Sequence, residues 1–173
     1  MGWGKIFLMP NAIKILQDDQ NSMRMLFGQI QQAPAGQFGG EDKAALQIAA
    51  MLTTHNALVE EYVHPLLADL QPEMAKEAEG TRRETRRMLA QIDDLPSGMD
   101  RRDAMVELQH LVKAQGEQEE AFYPLLSEKL GLVELEDLGR TMMARQQELL
   151  QEGEDTTNAA SLARPQGAAS PKI

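Results

Sequence analysis

Four stretches of this chain, each roughly 20 to 30 residues long and separated by proline and glycine, carry apolar side chains at alternating spacings of three and four. That period belongs to the α-helix, where such positions fall on one face. The expected first helix runs from the N-cap Asn11 to about Gln32, ahead of the breaker-rich stretch 33–40. The second spans Glu41 to Leu70, and Pro72 then suits the first turn of a third, ending near Ile92. A fourth begins at Asp100 and stops at Gly131, and a fifth covers Glu134 to Glu152. Long helices on short connections predict an all-α fold, an antiparallel up-down-up-down four-helix bundle with a fifth C-terminal helix packed across it. The bundle domain is thus 11–152, preceded by an N-terminal segment 1–10. Residues 153–173, rich in Thr, Asn, Ala, Ser, Gly and Pro, bury too little surface to offset their ordering entropy and are expected to be a disordered tail.

Composition removes several classes of function. The 173 residues include 27 acidic and 17 basic side chains, for a formal charge of −10, and no cysteine. Thiolate metal sites, disulfides and a cysteine nucleophile are excluded. An acidic surface repels phosphate, so no nucleic-acid partner is expected. The apolar patch at the start ends at Pro10 and Asn11, too short for a signal sequence or a membrane span, so neither membrane insertion nor export is expected and the cytoplasm is the expected compartment.

The apolar stripes are interrupted where they should be most uniform. Helix 1 aligns Ile13, Leu16, Gln20, Met23, Phe27 and Ile30; helix 2 aligns Ala45, Ile48, Leu52, His55, Val59, Tyr62 and Leu66. Helix 4 aligns Ala104, Leu111, Ala114, Gln118, Ala121 and Leu125. Helix 3 admits two phasings, one burying Ala75, Ala78, Arg82, Thr85, Leu89 and Ile92, the other turning Arg82 to solvent with Met74, Thr81 and Met88 inward. Equal rise per residue puts Gln20, His55, Arg82, Ala114 and Gln118 at one height. A buried polar layer is costly unless its members bond one another or a ligand.

In this setting the chain resembles the hemerythrin-like (HHE cation-binding) family, whose members hold two irons between four helices with a His-rich layer and two His-x-x-x-Glu motifs. The carriers are Asn11-Ala-Ile-Lys-Ile-Leu-Gln-Asp-Asp19 with Met25-Leu-Phe27, His55 with Glu60-Glu61 ahead of Pro65, Glu119-Glu120-Ala-Phe-Tyr-Pro124, and the closing Leu138 to Leu150. The resemblance implies six ligand positions. The helix 1 histidine falls on Gln20 and the helix 3 histidine on Arg82. Counting ten residues back from Pro65 gives His55, with its carboxylate partner falling on Val59; the same count from Pro124 gives Ala114 and Gln118. Only His55 remains a good iron ligand, since Val and Ala carry no donor and Arg is a permanent cation.

The expected function is therefore a hemerythrin-like protein with a degenerate site, non-enzymatic and without a cofactor, acting as a sensor or interaction module. The alternative is an iron-binding protein in oxygen, iron or nitric-oxide handling that uses His55 with Glu60, Asp19 and Glu117. Two Glu-x-x-His motifs, Glu61 to His64 and Glu107 to His110, lie on the order of 20 Å apart along the axis, too far to share an ion, and both histidines are expected at the surface or rim. The basic run Arg82-Arg83-Glu84-Thr85-Arg86-Arg87 is a solvated face or a docking patch for a protein partner, and a homodimer is the other association considered.

Overall fold

The structure is a computed structural model, and it describes residues 11–34 and 38–162. Among the described residues there is no strand. Helix α1 (Ala12–Gln32) opens on Asn11, whose side chain accepts the Lys14 backbone N–H at 2.9 Å. Helix α2 (Phe38–Leu58) continues through a π-helical turn (Val59–Val63) into α3 (His64–Leu70), so the three form one rod. Helix α4 (Pro72–Asp94) begins with its proline in the first turn, where no N–H is needed. Helix α5 (Met99–Leu162) is broken at Gly131, whose φ of 68° and ψ of 175° are non-helical.

The expected stop at Gly131 is present: two helices meet at its non-helical backbone, and the one beyond it packs Leu135 and Met142 back into the core. That helix runs through Gly153 to Leu162, where a disordered tail was expected. A helix already in progress gains a hydrogen bond for each residue fixed, so one glycine at a cost of about 1 kcal/mol does not stop it. The segments 1–10 and 163–173 lie outside the described residues.

The core divides into two apolar clusters. One gathers Leu16, Leu58, Val63, Leu67, Phe122 and Leu126, closed by Met142. The other gathers Met23, Phe27, Ile48, Leu52, Leu89, Met105 and Leu108. Between them lie the buried polar side chains His55, Asn56, Arg82, Thr85, Gln115 and Glu119. Of the two phasings open for α4, the buried set is Ala75, Ala78, Arg82, Thr85, Leu89 and Ile92.

The π-turn explains how α2 and α3 depart from the expected stripe. A π-turn fits one extra residue into the helix, so every position after it shifts on the face. Val63 and Leu67 are accordingly buried in place of Tyr62 and Leu66, which are half-buried. Far from the layer, Arg102 ties the bundle end together. It donates to the backbone carbonyls of Ile30, Gln31 and Ala33 at 3.4, 3.4 and 3.1 Å and pairs with the buried Glu41 carboxylate at 3.1 Å.

Gly131 and Gly153 should respond oppositely to alanine. Gly131→Ala forces a side chain into the left-handed region and should destabilise by about 1–2 kcal/mol, whereas Gly153→Ala sits in regular helix and should be neutral or stabilising by up to about 1 kcal/mol. Urea denaturation of the two variants beside the parent chain checks both signs.

Candidate functional site

His55 sits at the centre of the polar layer and is 1% exposed. Its Nδ1 lies 3.2 Å from Asp19 Oδ2 on α1, and its Nε2 lies 2.9 and 3.1 Å from the two carboxylate oxygens of Glu119 on α5. Both ring nitrogens thus face acceptor-only groups, which an imidazole satisfies only by carrying both protons. Burial alone favours the neutral ring, but the charge of Glu119 and the hydrogen bonds to Asp19 and Glu119 outweigh it and hold the pKa at about 10. Glu119 is likewise held below the usual carboxylate range: burial opposes its ionisation, and the facing His55 charge prevails.

The remaining oxygens and nitrogens are used in turn. The Gln20 side-chain amide donates to Glu119, and Gln146, beyond the Gly131 kink, donates to Asp19 Oδ1 at 3.2 Å. Gln115 Nε2 donates to Glu119 Oε1 at 2.9 Å and to Asn56 Oδ1 at 2.7 Å. The Thr85 hydroxyl lies 2.9 Å from the Arg82 carbonyl and 3.3 Å from Gln115 Oε1. One network therefore links α1, α2, α4 and both parts of α5.

Arg82 provides a second buried cation, also 1% exposed. Its Nη2 donates to His64 Nδ1 at 3.0 Å, its Nε is 3.8 Å from Glu60 Oε1, and that Nε has no hydrogen-bond partner. Burial pulls its pKa below the usual guanidinium value, with Glu60 acting against that pull. His64 is thereby half-buried and engaged, where a surface or rim residue was expected. The partners of Arg82 are Glu60 and His64.

Several expected site residues lie elsewhere. Ala114 and Glu117 are exposed, and Glu117 faces Lys113 at 3.9 Å. Gln118 is half-buried outside the network. The positions that α5 contributes are Gln115 and Glu119, one residue later than expected. Ten residues separate His55 from Pro65 because the π-turn adds one; in the regular helix before Pro124 the same rise needs nine, which lands on Gln115. Val59 is fully buried but packs in the apolar cluster. Glu60 turns away from His55 to pair with Arg86 as well as Arg82. The rest of the basic run is paired on α4 itself, Arg83 with Glu79 and Arg87 with Glu84.

The architecture defines a hemerythrin-like helical bundle. Among solved structures, this chain is similar to that of a hemerythrin HHE cation binding domain-containing protein from Mycobacterium kansasii, with a TM-score of 0.71, 20% sequence identity and coverage of 82% of this chain and 88% of that one. No model of a known protein family matches the sequence, and no curated protein does. No described helix is long and apolar enough to cross a membrane.

The donor set does not fit a di-iron centre. Around the layer stand four amides, a hydroxyl and a guanidinium, none of them a strong iron ligand. His55 and Glu119 are the strong donors that face each other, while Asp19 approaches the opposite ring nitrogen and cannot share an ion held at Nε2. Among the described residues no group of three or more His, Cys, Asp or Glu side chains is arranged to hold a metal ion.

The charged pair makes stability depend on pH. The His55 pKa rises on folding from 6.5 to about 10, so its contribution is complete below pH 6.5 and lost as pH climbs through 10. Glu119, whose pKa falls on folding, contributes fully above its ordinary value of 4.5 and loses that contribution in acid. Melting temperature should therefore peak between about pH 5 and 6.5 and decline on the alkaline side. In His55→Gln that alkaline decline should flatten, as thermal melts across pH will show. At pH 7, Glu119→Leu leaves a buried cation short of its partner and should cost about 3–5 kcal/mol.

Proposed function

We propose that this protein is a non-enzymatic hemerythrin-like module in which fixed side-chain cations take the place of metal charge, and that it acts as a sensor or interaction module. The supporting observation is the clamp on His55, whose two ring nitrogens meet carboxylates from two different helices at 3.2 and 2.9 Å. A ring held in that way has no lone pair for a metal and no free proton for acid–base work. Arg82 adds a second positive charge to the layer, which repels a further cation. Both features suit a bundle whose interior is a permanent hydrogen-bonded network.

A second function is favoured by the same histidine. Asp19 on Nδ1 resembles the outer carboxylate that orients a metal-bound imidazole, and Nε2 faces Glu119. If the Nε2 proton left, those two groups would present one imidazole and one carboxylate to a single ion such as iron.

Metal analysis after expression in iron-supplemented medium separates the two. The proposed function predicts substoichiometric iron in the parent chain, and stoichiometric iron in the triple variant Gln20→His, Arg82→His, Gln115→His, which keeps His55 and Glu119. Stoichiometric iron in the parent, with an absorption band lost in His55→Ala, would establish the single-ion function instead. A folded triple variant that takes up no metal would show that the layer positions are not equivalent to a ligand set.

A further inference from the structure

A cavity of about 490 Å³ opens between α1 and α5 beside the polar layer, within the size range of small-molecule sites. Phe27 and Val112 give it an apolar wall, and Gln20 and Gly116 lie along it toward the layer. Glycine at 116 matters here. A Cβ at that position would sit 3.6–3.8 Å from the Gln20 carboxamide, so its absence leaves that group open to the cavity. The Gln20 amide nitrogen is committed to Glu119, which leaves Oε1 as an acceptor.

The charges around the opening are selective. Lys113 and Glu117 offset each other at 3.9 Å, and at the far end Gln31 Nε2 donates to Gln109 Oε1 at 2.6 Å. Two lining charges remain without an ionic partner among the described residues. Arg24 donates only to the neutral Asn21 side chain, at 3.2 Å, and Glu120 faces no cation within 4.0 Å. The antiparallel pairs Gln20–Glu119 and Gln31–Gln109 set Arg24 opposite residues 115 and 116, so Glu120 follows about one turn, or roughly 6 Å, along the axis. Flexible side chains from two helices thus offer one positive and one negative group across a short gap above an apolar wall.

We propose that this cavity binds a free α-amino acid with an apolar or aromatic side chain. Arg24 takes the carboxylate, Glu120 and Gln20 Oε1 take the ammonium group, and Phe27 and Val112 take the side chain. This assignment rests on the cavity and stands whatever the layer holds. Through Gln20, a bound ammonium group would be one side chain from the Glu119–His55 pair.

The test is an NMR titration of the full chain with L-phenylalanine and its two singly charged analogues, 3-phenylpropionate and 2-phenylethylamine. Phenylalanine should give saturable shifts centred on Gln20, Phe27, Val112 and Gly116, and each analogue should bind about fivefold or more weakly for loss of one ionic contact. Arg24→Gln and Glu120→Gln, both at exposed positions, should each weaken phenylalanine similarly without lowering the melting temperature. Gly116→Leu should abolish binding by filling the cavity. Equal binding by either analogue, shifts centred elsewhere, or no saturable response to phenylalanine would overturn the assignment, and the two surface variants decide it even if Gly116→Leu fails to fold.

Discussion

Everything in the middle of this bundle is arranged around a protonated imidazole held between two carboxylates. His55 comes from α2, Asp19 from α1 and Glu119 from α5, so one ring joins three helices at a single height. Removing such charges from water is expensive, and their mutual attraction offsets that cost only when the remaining lone pairs and protons are bonded as well. Here Gln20 and Gln115 bond Glu119, and Gln146 bonds Asp19. The network also defines register. A helix slipped by one turn would leave at least one of these groups buried and unpaired, whereas the apolar clusters above and below would tolerate many packings of similar volume.

The π-turn at Val59–Val63 is the second determinant, and it acts through geometry alone. By absorbing an extra residue it lets His55 face the layer while Val63 and Leu67, rather than Tyr62 and Leu66, face the core beyond. Glu60, five residues after His55, lies off the histidine's face. Glu60 thereby becomes the partner of Arg82 and Arg86.

Much of this was legible in the sequence, and the limits have a physical origin. Helix number, the cap at Asn11, the proline start of α4 and the central placement of His55 all follow from local rules whose signals lie within a few residues. The burial of Arg82 did not, because a helix as polar as α4 has two nearly equal stripes, and only Glu60 and His64 from the neighbouring rod decide between them. Gln115 and Glu119 were hidden by a different cause. The proline that follows each motif is a ruler whose length, calibrated across a π-turn, is one residue too long for a regular helix. The one signal for Glu119 was the acidic pair Glu119-Glu120 at the start of the Phe122 and Tyr123 apolar segment, where a carboxylate four residues after Gln115 shares its face.

The proposed replacement of metal charge by side chains has an electrostatic logic of its own. Carboxylates buried between helices need a compensating positive charge, and a metal ion is one source of it. A histidine that keeps both protons supplies the same service to Asp19 and Glu119 with directional bonds, and Arg82 sets a positive charge 3.8 Å from Glu60. The two solutions differ in what they leave available. A metal centre has exchangeable coordination positions, whereas a guanidinium and a doubly donating imidazole present only fixed N–H groups. Under the proposed function the layer is closed to exchange, and the nearest place where a ligand can meet it is Gln20, the network member that also lines the cavity between α1 and α5. Responsiveness, if the layer has it, must then enter through hydrogen bonds to that side chain rather than through an ion in the core.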